Sequence, residues 1–189
     1  FDEDYLDFWS DINKMGRVLA LGQSMDRFAE KLDETFVPAG QQWQYVSIDT
    51  HVLGMVIRGA TGRDIPDLLN EKVITPLCPT TPPYYITDGH GVACVLGGLN
   101  LTTHDYALFG QMVANGGITF GTRIVLDDWI TQSTTASANT APGEIGYGYQ
   151  WWIPAGATQG QFMGRGIYGQ YIYIDQPRGV VMAVNGADR

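Results

Sequence analysis

The chain has 189 residues and a formal net charge of -9. An acidic surface repels phosphate backbones, so we exclude nucleic acid as an expected partner. No apolar run approaches the roughly 20 residues that cross a bilayer, so no membrane partner is expected. With 44% apolar and 16% charged residues, the composition is that of a folded globular protein.

Both ends of the sequence resemble cuts in a longer protein. The chain begins at Phe1 with no methionine or signal peptide, and Asp188-Arg189 come soon after the apolar run 180–184. We therefore expect further sequence outside these residues. The acidic run Asp2-Glu3-Asp4 is interpreted as a solvated face.

Two cysteines, Cys78 and Cys94, are present. Neither has a second ligand at metal-binding spacing, so both are interpreted as small buried residues that can pair or stay reduced. No metal is expected.

The first half of the chain carries helical patterns. Ser24 is placed to cap one helix and Ser47 to cap the next. The spacing of apolar residues in the second of these helices predicts a core face made of Val52, Leu53, Val56 and Ile57.

Further helix starts follow along the chain. Asp64 is placed to cap a helix with Pro66 in its first turn. Thr102, with Asp105 three residues later, resembles a capping box, and the helix it opens ends at Gly116-Gly117. A short helix is expected at 127–132.

The last part of the chain has the residue pattern of β-strands. We predict strands at 147–153 and 162–168, and a hairpin that joins 171–174 to 180–184. The pattern indicates an α+β fold, with a helical lobe at 1–117 and antiparallel strands at 118–189.

The stretch that carries the clearest chemistry places Tyr45 two residues before Ser47, at a predicted helix start. A phenol is a poor base at its ordinary pKa of about 10, and a nearby ammonium group lowers that pKa. Tyr45 would therefore act as a base only beside a lysine and a hydroxyl whose proton it takes.

A Ser-x-x-Lys motif on a helix would supply both groups one turn apart. The chain has no such motif: the residues three positions before its lysines, Lys14, Lys31 and Lys72, are Asp11, Phe28 and Leu69. Ser24-Met25-Asp26-Arg27 is rejected as a substitute, because arginine stays protonated and cannot exchange a proton with a hydroxyl.

A second candidate element is the glycine-rich stretch 164–170. Glycines on an edge strand let a substrate carbonyl approach the backbone, and the N–H of Ile167, after Gly166, is then placed to donate to an oxyanion.

These motifs together resemble the serine β-lactamase-like superfamily, which includes class C β-lactamases, penicillin-binding proteins, family VIII esterases and 6-aminohexanoate-dimer (nylon oligomer) hydrolases. The resemblance is greatest to the last two groups, and it spans nearly the whole chain. It rests on Tyr45-Val46-Ser47, Leu53-Gly54, Thr61-Gly62-Arg63, 71–77, 97–100, 106–110 and 166–170.

The resemblance implies a multi-domain α+β fold of the β-lactamase and transpeptidase type, and roles for particular residues. Tyr45 would be the general base and acid, Ser47 would tune it by hydrogen bonding, and the N–H of Ile167 would be one oxyanion donor. The neighbouring Gly166, Tyr168 and Gly169 would lie at the substrate.

Two further residues are candidates for the substrate side. His90 lies in a glycine loop and is placed to line the pocket, although a surface histidine fits equally. Trp151 and Trp152 alternate on a predicted strand, so one should face the core and the other, taken as Trp152, should wall the pocket.

Two positions depart from the pattern of the superfamily. The chain has no Lys-Thr-Gly, the element that binds a carboxylate in true β-lactamases. Cys78 stands where a glycine usually follows Pro-Leu, and we interpret it as structural.

The resemblance implies a serine hydrolase that acts on a small ester or amide through an acyl-enzyme, without a cofactor. Its nucleophile would lie upstream, so the missing N-terminal portion of the same protein is an expected partner, and this chain alone should be inactive. The alternatives are an inert fragment or pseudoenzyme that binds a ligand, and a β-lactamase or D,D-peptidase.

Overall fold

The computed structural model of the chain describes residues 1–187, so Asp188-Arg189, the end of the predicted second region, lie outside the described residues. The α-helices are α1 (Asp11–Ala20), α2 (Met25–Ala29), α3 (Ser47–Thr61), α4 (Ile65–Leu69), α5 (Thr75–Leu77), α6 (Thr103–Ala114) and α7 (Asp127–Ser133). A π-helical turn, Asn70–Ile74, joins α4 to α5.

The described strands pair antiparallel throughout. They are β1 (Tyr84–Tyr85), β2 (Leu99–Asn100), β3 (Ile118–Thr119), β4 (Thr122–Arg123), β5 (Gly146–Tyr147), β6 (Trp152–Ile153), β7 (Gln161–Gly166), β8 (Gln170–Asp175) and β9 (Val180–Val184). The strands β5 to β9 form one five-stranded sheet in chain order, while β1–β2 and β3–β4 are separate pairs. Helices and antiparallel strands therefore make up the predicted α+β fold.

The chain divides into two compact units that are interleaved in sequence. Unit 1 comprises Phe1–Ala39, Gln44–Asn70 and Pro83–Asn100, and unit 2 comprises Gly40–Trp43, Glu71–Pro82 and Leu101–Arg189. The division into a helical lobe at 1–117 and antiparallel strands at 118–189 stays a prediction.

Each unit has its own apolar core. The core of unit 1 joins α1, α2 and α3 through Ile12, Met15, Met25, Ala29 and Ile48. The core of unit 2 lies between α6 and the sheet and is formed by Leu77, Met112, Val113, Ile130, Phe162 and Ile174.

Several predicted local features are confirmed. The Ser24 hydroxyl accepts from the Arg27 N–H at 3.2 Å, as expected of the N-cap of α2. The Thr102 hydroxyl accepts from the Asp105 N–H at 3.1 Å, which confirms the cap of α6. The hairpin is also confirmed, with β8 and β9 in register from Tyr171↔Val184 to Asp175↔Val180.

The predicted start of α3 is wrong in one respect. Ser47 is the first helical residue, and Val46, in extended conformation, occupies the N-cap position without a side-chain cap. The predicted core face of the helix is also wrong: Val52, Leu53, Val56 and Ile57 are 41–61% exposed. The side of α3 that is buried carries Ser47, Ile48, His51 and Gly54 instead.

Two smaller predictions are also corrected. The predicted strand at 147–153 is two short strands, β5 and β6, because the chain turns back through Gln150 at φ 70. Cys94 is buried as expected, but Cys78 is exposed, and both thiols are free. Cys78 ends α5 with φ 53, a left-handed conformation that explains why glycine suits this position.

Within the described residues, no helix is both long and apolar enough to span a membrane.

Candidate active site

Tyr45 and Ser47 lie at the start of α3, in unit 1. Tyr45 is half-buried in the extended segment that leads into the helix, and Ser47 is 8% exposed. The extended backbone of Val46 separates the two residues, so the phenol and the hydroxyl leave the chain at the positive end of the helix dipole.

The start of α3 is capped by a residue that sequence reasoning missed. The Ser47 N–H donates a hydrogen bond to the carboxylate of Glu3. The first N–H groups of a helix need acceptors from outside it, and Val46 offers none from its side chain. Glu3 is half-buried rather than fully solvated, which corrects the interpretation of the acidic run. Because 44 residues separate the partners, no local pattern indicated this contact.

A partly buried ionic cluster fastens α3 to α2. Arg58 binds both oxygens of the Asp26 carboxylate through Nη2, at 2.7 and 2.9 Å. His51, which is 1% exposed, lies with Nε2 2.9 Å from the same carboxylate. Since His51 lies one turn after Ser47, this cluster fixes the part of α3 that carries the Tyr-x-Ser element.

The Gly166–Gly169 element lies in unit 2, and its setting differs from the predicted edge strand. β7 ends at Gly166, and a single 3-10 turn, Ile167–Gly169, leads into β8. β7 is an inner strand, because β6 pairs with it at Trp152↔Met163. Beyond Met163 the register of β7 continues with β8, up to Gly166↔Gln170.

Tyr168 occupies an unusual backbone conformation in this turn. Its φ and ψ are 61 and 27, and Gly169 follows with φ 83. A non-glycine residue in this region costs about 1 to 3 kcal/mol, and such residues concentrate at functional sites. Ile167 and Tyr168 are 48% and 49% exposed, so these two residues of the turn face solvent.

One of the two neighbouring tryptophans faces the core, as predicted. Trp151 packs against the core of unit 2, with its ring 5.0 Å from that of Phe162. Trp152 is half-buried on β6 and meets the rings of Trp43 and Tyr147 edge to face. The Arg165 guanidinium lies 5.6 Å from the ring of Trp152, so Trp152 is close to the part of β7 that leads into the turn.

His90 lies on an exposed loop of unit 1 that is organised by Asp88. The buried Asp88 carboxylate accepts the N–H groups of Met25, His90 and Val92 at 2.9 to 3.0 Å. Burial alone would raise the pKa of Asp88, but these three hydrogen bonds outweigh it and hold the pKa below its ordinary value.

The structure thus brings some of the predicted residues together within each unit. Tyr45 and Ser47 share the start of α3 in unit 1, where His90 occupies a separate loop. In unit 2, Gly166, Ile167, Tyr168 and Gly169 form one turn, and Trp152 lies on the strand beside β7. Within residues 1–187, no group of three or more His, Cys, Asp or Glu side chains has the arrangement of a metal site.

Comparison with known proteins identifies the family. The sequence profile of the family described as "Beta-lactamase" matches residues 3–188. A curated relative, the 6-aminohexanoate-dimer hydrolase of Paenarthrobacter ureafaciens, is 27% identical over 143 residues, which are 71% of this chain and 36% of the relative.

Solved structures agree with this match. A structure described as "Putative 6-aminohexanoate-dimer hydrolase from Bacillus anthracis" is similar with a TM-score of 0.77 and 29% identity, over 87% of this chain and 43% of that one. A penicillin-binding protein homologue from Caulobacter crescentus shares the fold, with a TM-score of 0.66 and 17% identity over 96% of this chain and 66% of that one. The chain therefore spans less than half the length of the curated relative and of the Bacillus anthracis protein.

Proposed function

Because the chain belongs to the Beta-lactamase family, we propose that it is part of a serine hydrolase that transfers the acyl group of a small ester or amide to water through an acyl-enzyme. The observation that carries the proposal is the Tyr-x-Ser element at the start of α3, in a chain that matches a 6-aminohexanoate-dimer hydrolase. No cofactor is needed for this chemistry.

In this proposal Tyr45 removes the proton of the nucleophilic serine and later returns it to the leaving group. Ser47 holds the phenol and its partner lysine by hydrogen bonding. The contacts of α3 support these roles, because Glu3 caps the helix at Ser47 and the Asp26 carboxylate binds it one turn later at His51. A general base has to be held rigidly to act on a single proton.

In the same proposal, the turn after β7 binds the acyl group and its oxyanion. The Ile167 N–H donates to the oxyanion of the tetrahedral intermediate, while Gly166, Tyr168 and Gly169 lie along the acyl group. The left-handed conformation of Tyr168 supports a functional constraint on this turn. Trp152 contributes an aromatic wall, and His90 is retained as a proposed substrate contact.

The nucleophile is proposed to lie in a further portion of the same protein, since the 189 residues contain no Ser-x-x-Lys. Two apolar surfaces suit the docking of that portion. One is the exposed stripe of α3, and the other is β9, an end strand of the described sheet on which Val180, Met182 and Val184 are 40–54% exposed. Apolar surface of this kind is typical of a buried interface.

The test compares three substrates in the purified protein that contains this chain and a Ser-x-x-Lys segment. We expect turnover of a short-chain nitrophenyl ester and of a linear amide such as the 6-aminohexanoate dimer, and little turnover of a chromogenic β-lactam, because Lys-Thr-Gly is absent. Preferred turnover of the β-lactam would instead favour a β-lactamase or D,D-peptidase. Absence of turnover with all three would favour a binding module.

The role of Tyr45 is tested by Tyr45→Phe. Loss of a general base lowers kcat by about 10²- to 10⁴-fold, with little change in the free energy of unfolding. Tyr84→Phe is the matched control, because Tyr84 belongs to the same unit and is 64% exposed. Wild-type kcat in Tyr45→Phe would contradict the assignment.

A further inference from the structure

Unit 1 contains a pocket whose lining is cationic although the chain carries a net charge of -9. We call it the cationic pocket; its volume is about 370 Å³, and it is lined by residues that include Arg27, Lys31, His90, Gln23, Ser24 and Phe28. This volume falls within the range of about 300 to 1,000 Å³ that is usual for small-molecule sites. A second pocket in the same unit, of about 110 Å³, is too small.

In the described part of the chain, no aspartate or glutamate side chain lines the pocket, and two carboxylates near it in sequence are engaged elsewhere. Asp26, next to Arg27, is bound by Arg58 and lies against His51. Asp88, two residues before His90, is buried and accepts three backbone N–H groups. Glu30, beside Lys31, is exposed and lies outside the lining, so Arg27 and Lys31 are the charged side chains at the place where a ligand would lie.

The two sides of the pocket are held together by close backbone packing. A Cβ added to Gly89 would lie 1.9 Å from the carbonyl oxygen of Gly22, so only glycine allows the two loops to approach this closely. Asp88 fastens the same loop to the first residue of α2 through the Met25 N–H. The backbone at His90 is thereby fixed relative to α2, the helix that carries Arg27, before any ligand binds.

One wall of the pocket is apolar and also held in place. Phe28 lines the pocket, and its ring is met edge to face by that of Phe1, with 6.5 Å between centroids. Val18 adds a second apolar surface. A ligand that suits this site therefore combines negative oxygen atoms with a small apolar body.

We propose that the cationic pocket binds a small organic oxyanion, either a carboxylate or a phosphate monoester, with its charged group at Arg27, Lys31 and His90 and its apolar part against Phe28. Charge-assisted hydrogen bonds from arginine and lysine are the usual means of holding such groups, and the imidazole of His90 adds a further hydrogen-bonding group. The proposal does not depend on the hydrolase proposal, because it concerns binding rather than turnover.

The test is isothermal titration calorimetry of the purified protein with phenyl phosphate, benzoate, inorganic phosphate and the neutral benzyl alcohol. We expect saturable binding of phenyl phosphate or benzoate, weaker binding of inorganic phosphate and none of benzyl alcohol. The tighter of the first two ligands identifies the class of oxyanion. Inorganic phosphate binding as tightly as phenyl phosphate would overturn the assigned ligand class.

Matched variants locate the site. Arg27→Gln and Lys31→Gln should each weaken binding by about five- to tenfold, because each removes one charged donor. Lys72→Gln changes the net charge equally at an exposed residue of unit 2 that pairs with Glu71, and it should leave the affinity unchanged.

Two results would overturn the proposal: the absence of saturable binding by every oxyanion, and an equal loss of affinity in Lys72→Gln and Lys31→Gln. The second result would mean general attraction of anions by surface charge. Because all three substitutions are at exposed side chains, unchanged unfolding temperatures are expected and serve as the check on folding.

Discussion

The helices α3 and α6 are both rich in apolar residues, yet they are buried very differently. α6 packs against β8 and β9, and its residues Gly110, Met112 and Val113 are buried there. α3 buries Ile48, His51 and Gly54 against α2 and its surroundings, while its apolar stripe, Val52, Leu53, Val56 and Ile57, remains exposed. An apolar face shows that a helix has a side suited to burial, but it does not show what covers that side.

The largest effect is expected at the start of α6. Asp105 is fully buried and accepts hydrogen bonds from the Thr80 N–H and from the hydroxyls of Thr80 and Thr102, at 2.8 to 3.1 Å. Asp105→Ala would leave these donors without an acceptor, at a cost of about 3 kcal/mol in the free energy of unfolding. Urea denaturation measures the change.

The matched control for this prediction is Asp64→Ala. Asp64 also precedes a helix, but it is exposed and its side chain makes no capping hydrogen bond. Its replacement should cost less than about 0.5 kcal/mol. Equal losses in the two variants would contradict the assigned role of Asp105.

The same carboxylate makes the free energy of unfolding depend on pH. Burial alone would raise the pKa of Asp105, but the hydrogen bonds from Thr80, Thr102 and His104 outweigh it and lower the pKa well below the ordinary value. Its contribution is therefore complete above the unfolded pKa of about 4 and is lost as the pH falls below that value. Denaturation from pH 6 to pH 2 should show a weaker acid dependence for Asp105→Asn than for the wild type, and equal slopes would refute the prediction.

The next largest effect on stability is expected from overpacking α6 against the sheet. A Cβ at Gly110 would lie 2.6 Å from Cγ1 of Val181 and 3.0 Å from Cγ2 of Ile172. Gly110→Ala should therefore destabilise the chain by about 1 to 3 kcal/mol, because the helix would have to move off the sheet. An unchanged urea midpoint would show that the contact relaxes without cost.

The corresponding change in α3 should have the opposite sign. A Cβ at Gly59 would meet no atom within 4 Å. Alanine is favoured over glycine in a helix interior, so Gly59→Ala should stabilise the chain by about 0.5 to 1 kcal/mol. A destabilisation in the same urea experiment would mean that this side of α3 is covered.

The smallest effect is expected on the exposed stripe of α3. Val56 is 61% exposed, and Val56→Ser should change the free energy of unfolding of this chain by less than about 0.5 kcal/mol. Val113→Ser, at a 2% exposed residue of α6, is the contrasting variant and should cost several times more. In a protein that includes the proposed further portion, a much larger loss for Val56→Ser would support docking on the stripe.

The features that the sequence predicted correctly are those with a local cause. The cap of Ser24 on α2 and that of Thr102 on α6 depend on a hydroxyl and an N–H three residues away. The β8–β9 hairpin depends on two apolar runs joined by a short turn, and the two predicted runs do pair. The start of α3 followed from the same kind of pattern, to within one residue.

The features that were missed depend on distant segments. Glu3 reaches the start of α3 across 44 residues, and Asp26 meets Arg58 across 32. The inner position of β7 follows from the pairing of Trp152 with Met163, which the glycines of the 164–170 stretch do not indicate. The roles proposed for Tyr45, Ser47 and Ile167 stay predictions. They concern proton transfer and oxyanion binding, which the geometry of a single unit does not test.

The sequence by itself determined the family, the α+β class and the elements that local hydrogen bonding and apolar periodicity encode. Tertiary structure alone decided which apolar faces are covered, which carboxylates are paired with partners, and which basic side chains line a pocket. The physical reason is the range of the interactions. Caps and turns join residues within one turn of chain, whereas burial and charge pairing depend on segments that only folding brings together.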